Sequence, residues 1–354
     1  MMSNVRRTIA CILIGLGALL LAAAVMIPTY TVSKVAKTPL NLRITTVAKS
    51  VPGEESLVLD SRSLASPDGA ARIDKNVPIV SQRFLTVEEP SGADEMTVQA
   101  GQTLRRDDRD GDTGLLTASV DRVTIDRVTG APIAASPNGS IAVTVDKSGA
   151  SVLDESHREG LQYRFPIGTE RKSYPYFDLN ARKTYPIDYV DESEINGVPV
   201  YHFRQTIPVT NINDVVPSPT NKLTLPAAKW GLEGDAPVTM TRFYTNTRDV
   251  WVEPRTGAVL KGGESLHLFY GRSADKVDVT ALKTHVVFDE ETINAQMDVT
   301  NESLRKLDVF GIYVPVALGI LGLLSLIAGL ILGFRSTTPP RPTNFDPPTE
   351  KFAV

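Results

Sequence analysis

The chain has 354 residues, a net charge of −4 and a single cysteine. No basic block marks a nucleic-acid surface, and a nearly balanced charge selects no partner class. Cys11 lies inside an apolar run, so whatever folds beyond that run does so without a disulfide; a domain of about 280 residues buries enough core to manage this.

In chain order, residues 1–8 form a short tail carrying Arg6 and Arg7, and residues 9–27 (IACILIGLGALLLAAAVMI) carry no charge. At the helical rise that run reaches about 28 Å, against a hydrocarbon core of roughly 30 Å. It is longer than the roughly 7–15 apolar residues of a signal peptide and is followed by no A-x-A site, so it reads as an uncleaved anchor. Pro28, Thr29, Thr31 and Val32 argue against the helix continuing. Residues 28–308 read as a mainly β, extracytoplasmic domain. Val123 and Ile125 alternate with Arg122, Thr124 and Asp126. Ile141, Val143 and Val145 alternate with polar neighbours before a turn at Lys147-Ser148-Gly149. Tyr201, Phe203, Gln205 and Ile207 share one strand face after the turn pair Asn196-Gly197. The clearest hairpin runs from Asp249 to Leu260, with Pro254 and Gly257 in its turn. The Pro-rich stretch Val215–Pro226 reads as a loop.

From Asp289 to Asp308 a weakly amphipathic helix places Ile293, Met297, Leu304 and Leu307 on one side and runs toward a second uncharged stretch, residues 309–334. That stretch spans a bilayer with length to spare, and small residues give the two membrane helices faces on which to pack. Residues 335–354 are polar, Pro-rich and expected to be a disordered cytoplasmic tail. Arg6, Arg7, Arg335 and Arg341 favour cytoplasmic termini, against Lys34, Lys37, Arg305 and Lys306 on the other side. The expected topology is two-pass, N-in and C-in, in the plasma membrane with the large domain outside.

Catalytic signatures are absent: no nucleophile elbow, no H-E-x-x-H, no Walker loop. His157, His202, His267 and His285 stand far apart and read as packed or surface residues, so no metal, cofactor or catalytic residue is expected. The run Arg105–Gly114 is rich in aspartate, but an EF-hand register puts Arg106 and Thr117 where carboxylates belong. It reads as a solvated turn with charges paired across neighbouring strands. Tyr174, Tyr176 and Phe177, preceded by Arg171 and Lys172, are the ligand-binding candidates: aromatic faces suit a sugar or lipid, and the two cations an anionic headgroup. The same residues also suit a segment capping one end of a β core.

The segments RDDRDGDTGLLTASVDRVTIDRVTGAP (Arg106–Pro132), SYPYFDLNARKTYPIDYVDESEINGVPVYHFRQTIP (Ser173–Pro208) and TRFYTNTRDVWVEPRTGAVLKGGE (Thr241–Glu264) resemble the actinobacterial porin PorA family. The two-anchor layout is also similar to the CD36 and LIMP-2 scavenger receptors, whose ectodomain is an antiparallel β-barrel pierced by an apolar tunnel. The resemblance implies a CD36-like β-barrel ectodomain with some helices between two transmembrane helices. It implies a role in cell-envelope biogenesis, supporting lipomannan and lipoarabinomannan assembly or mycolate-type lipids. The expected protein is not an enzyme. It binds or transfers membrane lipids or glycolipids through an apolar cavity; the alternative is a regulatory scaffold for a polytopic mannosyltransferase. A hydrolase, or a porin of its own, fits less well. No nucleic acid is expected, and the sequence leaves the oligomeric state open.

Overall fold

The computed structural model describes residues 2–31, 36–66, 69–144 and 151–334. The chain divides into two compact units, one built from its two ends and one spanning Ala36–Leu304.

In the first unit, helix α1 (Met2–Met26) is followed by a π-helical turn, Ile27–Thr31. The helical path therefore passes Pro28, contrary to the sequence expectation. Proline removes one backbone donor, and the turn around it widens to π-helical hydrogen bonding, with the Thr29 hydroxyl donating to the Val25 carbonyl at 2.6 Å. At the other end α2 (Glu290–Asp308), whose first part up to Leu304 belongs to the second unit, a π-helical turn (Val309–Tyr313) and α3 (Val314–Phe334) follow one another as one helical run, as the approach to the second apolar stretch suggested. Both α1 and α3 are long and apolar enough to cross a membrane.

α1 and α3 pack antiparallel through small residues. A Cβ on Gly17 would sit 2.8 Å from the Gly322 carbonyl oxygen, and one on Gly329 would sit 3.0 Å from that of Ala10. Between them Ser325 donates to the Leu13 carbonyl at 2.8 Å. Lipid supplies little hydrophobic drive for helix pairing, so close backbone approach and this hydroxyl carry the contact.

The second unit is one antiparallel sheet of fifteen strands among the described residues, curled into a half-barrel. The strands are β1 (Arg43–Ser50), β2 (Leu57–Asp60), β3 (Arg72–Lys75), β4 (Ile79–Glu88), β5 (Glu95–Arg106), β6 (Leu115–Asp126), β7 (Gly139–Thr144) and β8 (Ser151–Ser156), followed by β9 (Tyr174–Asp178), β10 (Lys183–Ile195), β11 (Val198–Asn211), β12 (Lys222–Pro226), β13 (Pro237–Glu253), β14 (Ala258–Gly271) and β15 (Val279–Phe288). Spatial order is β8-β7-β6-β5-β4-β1-β15-β14-β13-β11-β10-β9, with β12 on β13 and β2 on β15 and β3. The expected hairpin is present: Glu253 accepts from the backbone amides of Arg255 and Thr256 at 3.0 and 2.8 Å, and Gly257 closes the turn at φ +70°. Asn196 and Gly197 both take positive φ, the primed turn that matches strand twist. The turn expected at Lys147-Ser148-Gly149 and the tail 335–354 lie outside the described residues. The Val215–Pro226 stretch is not all loop. Leu223 and Leu225 alternate inward on β12, which ends at Pro226. An edge strand tolerates a proline there.

Alternate side chains point into the curl, as strand pleating requires. Leu85, Met96, Val98, Val123 and Ile125 form one buried cluster, and Phe203, Val250 and Val252 belong to another. After β8 the chain crosses the curl instead of pairing along the β8 edge, forming a strap over residues 157–173. Phe165 donates its amide to the Gly257 carbonyl at 3.0 Å, Ile167 to Val128 at 2.9 Å, and Leu161 to Pro175 at 2.8 Å. Leu161 and Phe165 face the aromatic cluster of Tyr174, Tyr176 and Phe203, while Tyr163 faces the opposite cluster of β4–β6. The strap thereby ties β6 and β7 to β9 and the β13–β14 turn.

Cysteines placed at Ala24 and Gly319, whose Cβ atoms would lie 3.9 Å apart, fall within disulfide geometry. In a Cys11→Ala background this pair is expected to cross-link in membranes under mild oxidation. Adding Gly322→Ile should abolish the cross-link, read as a mobility shift on non-reducing gels.

Candidate functional site

The inward face carries a belt of charge among its apolar clusters, assembled from strands far apart in sequence. On β6, Asp121 occupies the inward phase of Val123 and Ile125. It accepts from Arg158 and from the Tyr163 hydroxyl, both on the strap. Arg158 and Asp121 are 0% and 2% exposed, so the pair is fully desolvated. Arg158 also donates to Gln162 at 3.0 Å and stacks over Phe177, and Asn138 holds its backbone from both sides. A Cβ at Gly139 would stand 2.7 Å from the Arg158 Nε, so the small residue is what admits the guanidinium.

Opposite, Arg248 on β13 donates to Glu264 on β14 at 2.7 Å, to Asp178 at the end of β9 at 3.0 Å and to Gln205 on β11 at 2.5 Å. Its guanidinium also lies over the Tyr176 ring. Asp178 further accepts from the Tyr244 hydroxyl at 3.1 Å and caps the amides of Asn180 and Ala181. Asn246, 2% exposed, lies near enough to Glu264 to help keep it ionised, yet neither of its side-chain atoms has a partner at hydrogen-bond distance. Arg248 and Glu264 retain 12% and 22% side-chain exposure on this enclosed face. On the wall between these groups, Arg83 of β4 donates to Gln102 of β5 at 3.2–3.3 Å and lies over the Tyr163 ring.

Burial works against ionising Glu264, but Arg248 and then Arg83 outweigh it and hold the carboxyl below its usual range. Burial likewise opposes the charge on Arg248, and Glu264 with Asp178 more than compensates. Burial, reinforced by Asp121, pushes the Tyr163 phenol well up, so it stays a hydrogen-bond donor. Arg164, on the strap beside Asp126, is pushed down to about 10 by burial.

The five candidates from the sequence do not form one site. Arg171 and Lys172 are surface residues, paired with Glu192 at 2.5 Å and Glu170 at 3.1 Å and lying over Tyr201 and Tyr174. Tyr174 packs edge-on against Phe165 in the aromatic cluster. Tyr176, on the same face, borders the belt and donates to the Gln162 carbonyl; Phe177, on the opposite face, is covered by Arg158. The belt residues themselves escaped the sequence search. Their signal was phase: Arg83 with Leu85, Asp121 with Val123, Gln205 with Phe203 and Ile207, Glu264 with Leu266.

The acidic run after β5 is held by arginine. Arg106 donates to Asp108 at 2.7 Å and across to Asp74 of β3 at 2.7 Å, and Arg109 reaches Asp74 at 3.2 Å. A polar cleft of about 180 Å³ opens here between Asp60, Arg62, Arg106, Arg109 and Asp112. Among the described residues no three His, Cys, Asp or Glu side chains converge as metal ligands. His202 stacks on Trp251 and bonds Asp249 at 2.6 Å, while His285 meets Glu54 at 2.8 Å.

Removing one member of a fully buried ion pair strands the other charge, at about 3–5 kcal/mol. Arg158→Met should therefore destabilise the sheet unit by that amount in denaturant titrations, and adding Asp121→Leu should recover most of it. Acid sensitivity follows from lowered carboxyls. Glu264, Asp74 and Asp108 sit below their ordinary values of 4.5, 3.8 and 3.8, so their stabilisation is complete above those values. It is lost as pH falls through the lowered folded values. Glu264→Gln should flatten that loss in melting curves taken between about pH 5 and pH 2.

A family model described as Porin PorA matches residues 9–331. Among relatives, Porin PorA of Corynebacterium amycolatum is 32% identical over 385 residues, covering 94% of this chain and 100% of the relative. Porin PorA of Corynebacterium resistens is 32% identical over 414 residues, covering 96% and 99%. Matched almost end to end, both membrane helices and the sheet unit included, the chain belongs to the porin PorA family.

Proposed function

We propose that this envelope protein is a two-pass, N-in and C-in anchored binding protein whose extracytoplasmic sheet unit takes up an amphiphile. The observation that carries this reading is that Arg83, Arg248 and Glu264 stay partly exposed on the concave face, in a charged belt flanked by buried apolar clusters. Such layering suits a molecule with a polar head and apolar chains. Each methylene buried adds about 0.8 kcal/mol, so two acyl chains bind tightly without any reacting group. The cavity proposed here is amphipathic, where the sequence suggested an apolar one. The family resemblance adds a role in support of lipomannan and lipoarabinomannan assembly, or of mycolate-type lipids, and leaves the identity of the lipid open.

A non-enzymatic role is favoured by how the belt's carboxylates are used. A glycosidase-type acid needs a raised pKa, whereas Glu264 is lowered and Asp121 and Asp178 are each held by an arginine. The relatives are named porins, and that name supports a pore as the competing reading. Against it, α1 and α3 touch through glycine, leaving no lumen between them. Outward positions of the sheet such as Gln82, Gln99, Thr103 and Arg105 are polar, unlike the apolar band of a membrane barrel.

Protein purified from its own host membrane should carry lipid at a stoichiometry near one, detected by native mass spectrometry. Recovery of only the bare polypeptide mass would count against uptake, and single-channel conductance in planar bilayers would favour the pore.

A further inference from the structure

The belt is polarised, and its polarity selects a class of head group. Arg83 makes no ion pair among the described residues; two of its N–H groups share the single Gln102 oxygen. That leaves three of its five donors uncommitted. By contrast Arg106, Arg158 and Arg248 each hold a carboxylate. Across the curl, Arg248 is flanked by both Asp178 and Glu264, so this cluster of three sets two carboxylates against one cation. Farther round, Asp121 is matched by Arg158, with Arg182 also acting on Asp121 from the turn before β10. Arg83 and Glu264 lie beyond ion-pair contact, yet close enough for the cation to help hold the carboxyl ionised. Both remain accessible, as does Gln102, whereas Gln205, Asp178 and Tyr244 are sealed at 0% exposure. An unpaired Arg83 cation thus stands near a cluster with a carboxylate in excess, and the Tyr163 and Tyr176 rings are already covered by the two guanidiniums.

We propose that the amphiphile bound here carries a zwitterionic phospholipid head group, its phosphodiester against Arg83 and Gln102 and its primary ammonium against Glu264. An anionic head without an ammonium leaves the Glu264 carboxylate facing like charge, and a purely cationic head leaves Arg83 unmatched. A primary ammonium is favoured over a quaternary one because Glu264 accepts hydrogen bonds while the aromatic faces are already occupied. This assignment rests on the amphiphile-binding reading above and adds the chemistry of the head.

The test uses the full chain, delipidated in detergent and then offered vesicles of dioleoyl phosphatidylethanolamine, phosphatidylcholine or phosphatidylglycerol, with retained lipid counted by native mass spectrometry. Phosphatidylethanolamine should be retained about tenfold better than phosphatidylglycerol, a difference one charge-assisted contact supplies. Arg83→Gln should lower retention of both by a similar factor while a cooperative melting transition shows the fold intact, since Arg83 makes no ion pair among the described residues and its contacts are Gln102 and the Tyr163 ring; Arg83→Lys should restore part of the retention. Glu264→Gln should narrow the preference between the two lipids. Soluble glycerophosphoethanolamine, offered in excess, should compete poorly if the acyl chains are bound as well; full displacement would assign the site to a soluble zwitterion and overturn the lipid head. Equal retention of all three lipids, or lipid binding indifferent to Arg83→Gln, overturns the head-group assignment while leaving lipid uptake standing. Retention of no lipid overturns uptake and this inference together.

Discussion

Arg158 and Asp121 join the strap to β6, the strand next to β7, and so brace the curled sheet from its inner face. The pair is desolvated on every side, and a buried ion pair is stable only when its remaining donors and acceptors are satisfied. Here Gln162, Tyr163 and Asn138 complete it. At its other end the strap is fixed by the Phe165 amide donating to the Gly257 carbonyl and by the Arg164 guanidinium donating to the Thr256 carbonyl. A Cβ at Gly257 would collide with the Phe165 carbonyl oxygen, so the strap closes over a turn that only glycine at positive φ can make.

Placing six charged groups inside a β core is costly unless each finds a partner. The flanking clusters of Phe203, Val250, Leu85, Met96 and Ile125 offset that cost, each fully buried side chain contributing roughly 1.5–3 kcal/mol. Arginine serves as the common partner because its planar fork meets a carboxylate, an amide oxygen and a ring face together. Arg248 does all three, with Glu264, Gln205 and Tyr176. What remains accessible among the belt residues is polar: Arg83, Gln102, Arg248 and Glu264.

The helical ends follow a different rule. In α1 and α3 no charge intervenes and the packing contact is made by glycine, alanine and one serine hydroxyl. Leucine, isoleucine and valine elsewhere on these helices stay exposed, the arrangement lipid permits and water does not. α2 differs: it buries Thr292, Gln296 and Thr300 along one side, and the Thr292 hydroxyl meets both backbone groups of Val47 where β1 leaves β15. The apolar stripe read from Ile293 and Met297 was right about the helix and incomplete about its buried face.

By itself the sequence determined whatever depends on composition or local period: two uncharged spans, a cysteine-free β unit, the Asp249–Leu260 hairpin, and the inward phase of Phe203, Gln205 and Ile207. Local sterics and hydropathy decide these, and both are written residue by residue. Only the tertiary structure decided which charges meet. Arg83, Asp121, Asp178, Arg248 and Glu264 sit on different strands, and their pairing follows from sheet order and from a strap that crosses instead of adding to an edge. The same limit explains the sequence candidates. Tyr174, Tyr176 and Phe177 are near neighbours in the chain, but pleating sends Phe177 to the face opposite the two tyrosines, and Arg171 and Lys172 pair with surface carboxylates.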